Sequence, residues 1–427
     1  MSQLAVQFRT RLRSDAGRAV VASFSAAVVA RLILLTLAVL LARQLGPEGY
    51  GTFTFAIGVA MVGGQMSGLG WPTLMNRLIP GFVKDQDWPH LKGLRNAGDG
   101  VVLLTSVTIA ATLFLVSDLT GDLSRGFKMA ALLLPPLALA ILRRQQLAAV
   151  RHAAIGIVFD QSFGALALVL AILAVGAMSL EQSVLIYASA LAVGVLITSY
   201  LFRRRLPREL GGVRAGYRVA AWATLALPMV IGTASKQLMT RIDILMLAPL
   251  STLHEVGLYG AAFRVTYLLT FPQVALMTVL TPMFSHAFTH GHINAVRRQL
   301  KGALLFAAVT TVPAALVLFT IPDFIMNGVF GPKFGAGAPT LAILAVSQTA
   351  ASITIPFSSM LLMGGRERIF GTINIAALGL NMLLCFILIP RFGAAGAASA
   401  TLVSATALLL AQIVLSRPLL ARPEPSA

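Results

Sequence analysis

Long apolar runs follow one another along nearly the whole chain, separated by short polar or basic connections. Each run stays apolar over about 20 residues, the length of a helix that crosses a bilayer, whereas barrel strands alternate in segments of about ten residues. We therefore predict an all-α polytopic membrane protein with about 12 transmembrane helices. The predicted spans lie near residues 20–43, 50–74, 97–117, 127–149, 153–176, 183–202, 219–248, 256–281, 302–321, 338–363, 369–389 and 394–416.

The chain also resembles itself at an interval of 206 residues. The stretch that opens with Tyr50-Gly51 and runs to residue 82 has a degenerate counterpart that opens with Val256-Gly257 and runs to residue 288. A long internal repeat in an apolar chain indicates two related lobes of a transporter. We predict a six-helix lobe over residues 1–202, a basic cytosolic linker over 203–218, and a second six-helix lobe with a short tail over 219–427.

Composition excludes a soluble protein, because 57% of the 427 residues are hydrophobic and only 11% are charged. The single cysteine, Cys385, allows neither an internal disulfide nor a cysteine-based metal cluster. The chain has no nucleotide-binding loop, no zinc-protease motif and no serine-hydrolase motif. The outer connections, at roughly 10 to 16 residues, are too short for a folded catalytic domain, which needs about 50. We expect a transporter without enzymatic activity, cofactor or metal.

The distribution of positive charge predicts the orientation in the membrane. Of the 33 Lys and Arg residues, 23 fall on the side of the amino terminus, 5 on the opposite side and 5 within spans. Because basic residues mark cytosolic connections, we predict that both termini are cytosolic and that the protein is a multi-pass protein of the bacterial cytoplasmic (inner) membrane. The net charge of +18 is then mostly a topology signal, and we expect no nucleic-acid partner.

Cations inside the predicted spans are the first candidates for a substrate site, because such a charge costs roughly 2.5 to 3.5 kcal/mol to insert and usually faces a bundle interior or water. Arg31 lies near the middle of the first span, and Lys236 falls within one residue of its repeat counterpart. Arg264 lies in the eighth span, with Tyr267 one turn away. For Arg241, near the outer surface, interfacial anchoring and substrate contact both stay open. Alternatively, the Arg31 side chain snorkels, so that its charged end reaches water at the membrane surface.

Acidic residues inside spans are candidates for ion coupling. Asp243 lies two helical turns from Lys236, and the threonines at 233 and 240 would complete a polar stripe on one helical face. A structural ion-pair network and a proton-carrying carboxylate both fit this pattern. Asp160, about seven residues into the fifth span, has no evident partner in the sequence and is a second proton-relay candidate.

Several segments resemble the polysaccharide-type, or Wzx-like, flippases of the MOP superfamily in their order and spacing. Residues 42–51 resemble the exit of the first helix of these proteins, and residues 241–245 and 255–264 resemble their seventh and eighth helices. Residues 322–338, 364–368 and 389–397 resemble their last four helices. The lipid II flippases of the same superfamily typically carry an Arg-Asp pair late in the first helix, where this chain has Leu37-Ala38.

The resemblance implies a V-shaped, MATE-like pair of six-helix bundles around a cationic central cavity. It implies that undecaprenyl-pyrophosphate-linked oligosaccharide repeat units pass from the cytosolic to the periplasmic leaflet by alternating access, for O-antigen, capsule or exopolysaccharide. The implied partners are the polyprenyl-linked oligosaccharide, membrane lipid, the polysaccharide polymerase and export machinery, and H+ or Na+ as coupling ion. An ion-coupled multidrug-type antiporter is the alternative, and a membrane glycosyltransferase or polymerase is the third candidate.

Overall fold

A computed structural model describes the backbone of residues 15–420, and within that range every regular element is a helix. The α-helices are α1 (Asp15–Ser67), α2 (Trp71–Lys84), α3 (Trp88–Ser117), α4 (Ser124–Ala149), α5 (Ala153–Ile157), α6 (Phe163–Val175), α7 (Leu180–Arg205), α8 (Val219–Met239), α9 (Ile242–Leu250), α10 (Leu253–Thr266), α11 (Phe271–Thr289), α12 (Ile293–Thr320), α13 (Ala338–Met363) and α14 (Glu367–Leu420). Short 3-10 or π-helical segments cover Asp118–Leu123, Val158–Ser162, Arg208–Gly211, Tyr267–Thr270, Phe324–Phe330 and Pro332–Gly337.

Helices α1 and α14 are each long enough for two spans. They contain 53 and 54 residues, about 80 Å of helix, whereas the hydrocarbon core of a bilayer is about 30 Å thick. Each is interrupted by a glycine with positive φ, Gly46 at 69° and Gly393 at 53°. A residue with a side chain would be strained in this conformation, so glycine permits the sharp break between two spans.

By length and apolar composition, six helical stretches of the described chain suffice to cross a membrane. A seventh is formed if the pair Ala153–Asp160 and Phe163–Val175, bent by 43°, is one span. The long stretches divide at the two glycines and at the Asp118–Leu123 turn, and the seventh and eighth predicted spans are present as the interrupted pairs α8–α9 and α10–α11. A helical segment thus corresponds to each predicted span, and the all-α polytopic fold class is confirmed.

Contacts divide the chain into two compact units. Of the described residues, the first comprises 15–45 together with 52–241, and the second comprises 46–51 together with 242–420. Helix α8 belongs to the first unit because it packs on α2, where the ring of Trp222 meets that of Trp71 edge-on at 6.3 Å between centroids. The lobes inferred from the sequence, with a boundary at 203–218, stay a prediction.

Arg143 and Asp99 form an ion pair in the core of the first unit. Arg143, 8% exposed, holds Asp99 through two hydrogen bonds of 2.8 and 3.0 Å from its two terminal nitrogens. The same guanidinium donates to Gln146 Oε1 at 2.6 Å. Bidentate geometry of this kind is the strong form of an Arg–carboxylate contact. The charge of Arg143 is therefore neutralised by Asp99 inside the first unit.

In the second unit, the segment 46–51 lies directly against α10. A Cβ atom added to Gly51 would stand 1.8 Å from the carbonyl oxygen of Leu253, and one added to Gly257 would stand 1.9 Å from that of Pro47. Gly51 and Gly257 occupy equivalent positions in the 206-residue repeat. The two copies of the repeated motif thus pack backbone to backbone through their glycines, a close approach that only glycine allows.

Candidate functional site

The seventh and eighth predicted spans are both interrupted next to predicted site residues. Helix α8 ends at Met239, and the amides of Thr240 and Arg241 bond three residues back, to Gln237 O at 3.2 Å and Leu238 O at 2.9 Å. Such bonds tighten the last turn of a helix and end it. The predicted polar stripe over residues 233–243 required one continuous helix. This part of the interpretation is wrong, because one helix ends at Met239 and the next begins at Ile242.

The eighth span is interrupted by the 3-10 turn Tyr267–Thr270 between α10 and α11. The carbonyl oxygen of Leu269 in this turn accepts hydrogen bonds from Thr311 Oγ1 at 3.4 Å and Ser352 Oγ at 3.5 Å. Hydroxyl groups of neighbouring helices commonly satisfy backbone groups that a broken membrane helix frees. Interrupted helices of this kind are where transporters usually build substrate and ion sites.

Asp243, at the start of α9, is 6% exposed. Its Oδ2 accepts a hydrogen bond of 2.7 Å from the Tyr259 hydroxyl, and Cys385 Sγ lies 3.8 Å from its Oδ1. Among the described side chains, none of its partners is a cation. The side chain of Lys236 lies outside the described residues, so the ion pair predicted between Lys236 and Asp243 stays a prediction.

The Asp243 carboxylate belongs to a larger buried network that draws on three helices. The Tyr259 hydroxyl also lies 3.4 Å from Thr401 Oγ1. Asn381 Oδ1 lies 3.6 Å from Cys385 Sγ, and Asn381 Nδ2 donates to Ser404 Oγ at 3.2 Å. The sequence did not indicate Tyr259, Cys385 and Thr401 as site residues. They are 16, 142 and 158 residues from Asp243 in the chain, so no local spacing signals them.

Arg264 is half-buried near the end of α10. Across the described part of the chain it makes no hydrogen bond or ion pair within the protein. The adjacent Phe263 ring stacks between Tyr259 and Tyr267, with centroid separations of 6.2 and 5.4 Å. No hydrogen bond or ion pair to the described residues therefore holds the Arg264 guanidinium, and Arg264 directly follows the central ring of a ladder of three aromatic rings, of which Tyr267 is 38% exposed.

The remaining predicted cations are Arg31, Arg241 and Lys236. Arg31 is half-buried on α1, and Arg241, also half-buried, donates from Nη2 to Met61 Sδ at 3.1 Å. The backbone of Lys236 lies in α8. Convergence of Arg31, Lys236 and Arg264 on one chamber stays a prediction.

Asp160 has a partner that the sequence did not indicate. Its Oδ2 lies 2.8 Å from Arg144 Nη1, and the two side chains are 8% and 28% exposed. Asp160 lies in the π-helical segment Val158–Ser162, whereas Arg144 comes from the preceding helix α4. The expectation that Asp160 lacks a partner is wrong, because tertiary packing brings the end of α4 next to it.

Comparison with known proteins identifies the family. The family described as Polysaccharide biosynthesis protein matches residues 16–288, and the MatE family matches residues 228–387. The chain is 23% identical over 390 residues to the EPS I polysaccharide export inner membrane protein EpsE of Ralstonia solanacearum, covering 86% of this chain and 87% of that protein.

An archaeal relative, the probable low-salt glycan biosynthesis flippase Agl15 of Haloferax volcanii, is 25% identical over 163 residues. That alignment covers 38% of this chain and 34% of the relative, so the chain spans about a third of the relative's length, as it also does for a second archaeal membrane protein. The structure resembles that of the lipid II flippase MurJ in an inward closed conformation, with a TM-score of 0.73, 14% identity and coverage of 92% and 87% of the two chains. The first family covers well over half of the chain, and the protein belongs to this polysaccharide biosynthesis family.

Proposed function

We propose that the protein flips undecaprenyl-pyrophosphate-linked oligosaccharide repeat units from the cytosolic to the periplasmic leaflet of the bacterial inner membrane, as a transporter and not an enzyme. Membership of the polysaccharide biosynthesis family supports the substrate class. The observation that carries the proposal is the half-buried Arg264, which has no hydrogen bond or ion pair to the described residues and directly follows Phe263, the central ring of the aromatic ladder.

The chemistry of a lipid-linked saccharide matches this arrangement. A pyrophosphate cannot cross about 30 Å of hydrocarbon without a compensating charge. A guanidinium forms charge-assisted, bidentate contacts with phosphate oxygens. The exposed Tyr267 ring offers an apolar face and a hydroxyl, which suit the alternating apolar and polar surfaces of a sugar. Arg264 would therefore hold the pyrophosphate while Tyr267 contacts the first sugar.

Arg31, Lys236 and Arg241 are proposed to supply further positive charge along the same path during alternating access. Lipid II is a weaker candidate substrate, because Leu37 and Ala38 stand where the lipid II flippases typically carry Arg-Asp. Delivery of the flipped unit to a polysaccharide polymerase and export machinery in the periplasm follows from the same proposal, as does a cytosolic location of both termini.

Asp243 is proposed as the ion-coupling residue. Its carboxylate, the Tyr259 and Thr401 hydroxyls and the Asn381 amide oxygen gather oxygen atoms in one buried network. Oxygen donors are the ligands that hard cations prefer, and a buried carboxylate without a cationic partner can instead take up a proton. Both Na+ and H+ remain candidates. Asp160 is kept as a second proposal, in which ion exchange would require release of Arg144.

Asp243→Asn is expected to uncouple transport from the ion gradient. Asparagine preserves the size of the side chain and can accept the Tyr259 hydrogen bond through its amide oxygen, but it carries no charge and no titratable proton. We expect gradient-driven acceleration of flipping to disappear, with the melting temperature of the purified protein within a few degrees of the original. Asp323→Asn, at an exposed position, is the control. Full gradient dependence in Asp243→Asn would contradict the assignment.

The function is tested with purified protein in liposomes that contain a fluorescent polyprenyl-pyrophosphate saccharide, with and without imposed H+ or Na+ gradients. Protein-dependent movement of the label between leaflets is the expected result. The MatE match over residues 228–387 favours an ion-coupled small-molecule antiporter as second candidate. Gradient-driven efflux of a cationic dye without saccharide flipping would establish that candidate and overturn the proposed one.

A further inference from the structure

A basic cavity lies in the first unit, well apart in sequence from the Asp243 and Arg264 region. Its volume is about 780 Å³, within the range of about 300 to 1,000 Å³ that is typical of ligand sites. It forms where α3, the end of α7 and the following chain meet. The cavity is lined by Lys92, Arg95, Arg203, Arg204, Leu206 and Leu210, together with two further residues of the linker.

The positive charge of this cavity is not compensated by acidic side chains among the described residues that line it. Among the described residues that line it, four are cationic and none is acidic. Lys92 Nζ donates to the carbonyl oxygens of Gly211 at 3.4 Å and Val213 at 2.8 Å, which orient the ammonium group without cancelling its charge. Asp99 is the acidic group that acts electrostatically on Arg95, and it is already held by Arg143.

The unbalanced positive charge affects the pKa of Arg95. It precedes the third predicted span and therefore lies on its cytosolic side. Burial lowers the pKa of its guanidinium against the raising effect of Asp99, and the positive charges of Arg203 and Arg143 lower that pKa further. A group of cations that are partly desolvated and repel one another gains free energy when an anion binds between them.

The cavity lies at the predicted boundary between membrane and cytosol. Arg203 and Arg204 directly follow the sixth predicted span, which ends at residue 202. The Arg204 guanidinium lies 4.7 Å from the ring centroid of Tyr200, which is 53% exposed. Exposed tyrosines followed by arginines are typical of helix ends at the level of lipid headgroups. The floor is apolar, since Leu206 and Leu210 belong to the buried core of the unit.

We propose that this cavity binds the phosphate of an anionic lipid headgroup in the cytosolic leaflet. Clusters of Lys and Arg between helices on the cytosolic side are the usual recognition elements for such headgroups. Three guanidinium groups supply the charge-assisted donors that phosphate oxygens prefer. The lipid would enter from the side of Tyr200, with its phosphate between Arg95 and Arg203 and its chains along the apolar exterior of α7.

A bound lipid would also hold the linker in place. The linker packs tightly on α3, since Gly216 N donates to Pro89 O at 2.9 Å and a Cβ on Gly93 would lie 1.9 Å from Gly216 O. One wall of the cavity comes from α3 and another from residues 206–211. A phosphate that bridges both walls would secure the segment that connects the two predicted lobes.

The test compares two variants with equal loss of charge from the same linker. R203Q/R204Q removes two cavity arginines, whereas R214Q/R218Q removes two exposed linker arginines that do not line the cavity. Native mass spectrometry of the purified full-length protein measures binding of phosphatidylglycerol, phosphatidylethanolamine and undecaprenyl pyrophosphate, after melting curves have shown that both variants are folded. Arg95→Gln provides a variant on the opposite wall.

We expect wild type and R214Q/R218Q to bind phosphatidylglycerol in preference to phosphatidylethanolamine, and R203Q/R204Q to bind it on the order of tenfold more weakly. A selective loss of undecaprenyl pyrophosphate would assign the lipid phosphate to the polyprenyl carrier instead of a bulk phospholipid. Unchanged binding of both anionic lipids in R203Q/R204Q and Arg95→Gln would overturn the proposal. Because no transport is measured, a failure of the proposed flipping would leave this result unaffected.

Discussion

Arg264→Ala is expected to reduce translocation of a pyrophosphate-linked saccharide in liposomes by at least about tenfold. Arg264 is half-buried, and its guanidinium has no hydrogen bond or ion pair to the described residues. The substitution therefore removes no described polar contact within the protein. A charge-assisted contact to phosphate contributes about 1.5 to 3 kcal/mol, equivalent to roughly ten- to a hundredfold in affinity. The fold should be preserved, because alanine favours a helix.

Two further substitutions sharpen this expectation. Arg264→Lys keeps the charge but loses the planar, bidentate donor set, and we expect it to retain part of the activity. Arg298→Ala removes an exposed arginine outside the predicted spans and is expected to behave as wild type. Flipping at the wild-type rate by a stable Arg264→Ala protein would remove Arg264 from the substrate site.

Gly51→Ala is expected to destabilise the protein by about 3 kcal/mol, at the upper end of the usual effect of overpacking. The added methyl carbon would lie 1.8 Å from the carbonyl oxygen of Leu253. The opposing atom belongs to the backbone and cannot rotate away as a side chain would, so the segment 46–51 and α10 would have to separate. The same reasoning applies to Gly257→Ala, whose methyl carbon would meet the Pro47 carbonyl at 1.9 Å.

The measurement is the melting temperature and the fraction of monodisperse protein after purification in one detergent. Gly302→Ala is the matched control, because a Cβ atom there has no neighbour within 4 Å. In a helix this control substitution should be neutral or stabilising by up to about 1 kcal/mol. Equal melting temperatures for Gly51→Ala and Gly302→Ala would show that the two copies of the repeated motif do not pack as tightly as described.

Candidate site residues could be found in the sequence where a single residue is conspicuous by itself. An arginine such as Arg264 is conspicuous in an apolar span, because its insertion has a high free energy wherever the helix packs. The partner of Asp160 was not predictable, since Arg144 comes from a different span and becomes its neighbour only through packing. The same holds for the carboxylate network, where Asp243 of α9 is joined by Tyr259 of α10 and by Cys385 and Thr401 of α14.

Some interruptions of the helices could be predicted from the sequence, and one could not. Gly46 and Gly393 lie between apolar stretches whose combined length exceeds one membrane crossing, so their breaks follow from the thickness of a bilayer. The break at Thr240 and Arg241 falls inside a single predicted span. Hydrogen bonds back to the preceding turn and packing on different neighbours end one helix and start the next there, and neither leaves a composition signal.

The sequence by itself determined that most of the chain lies in lipid, and it also determined the number of spans, the internal repeat and the family. These features depend on the length of apolar runs and on short motifs, which can be read along the chain without knowledge of its packing. Only the tertiary structure decided which buried charges have partners and which do not. It also brought Lys92, Arg95, Arg203 and Arg204 around one cavity, although they lie up to 112 residues apart. Electrostatic and hydrogen-bond partners depend on distances of a few ångströms between helices, and these distances are set by side-chain packing.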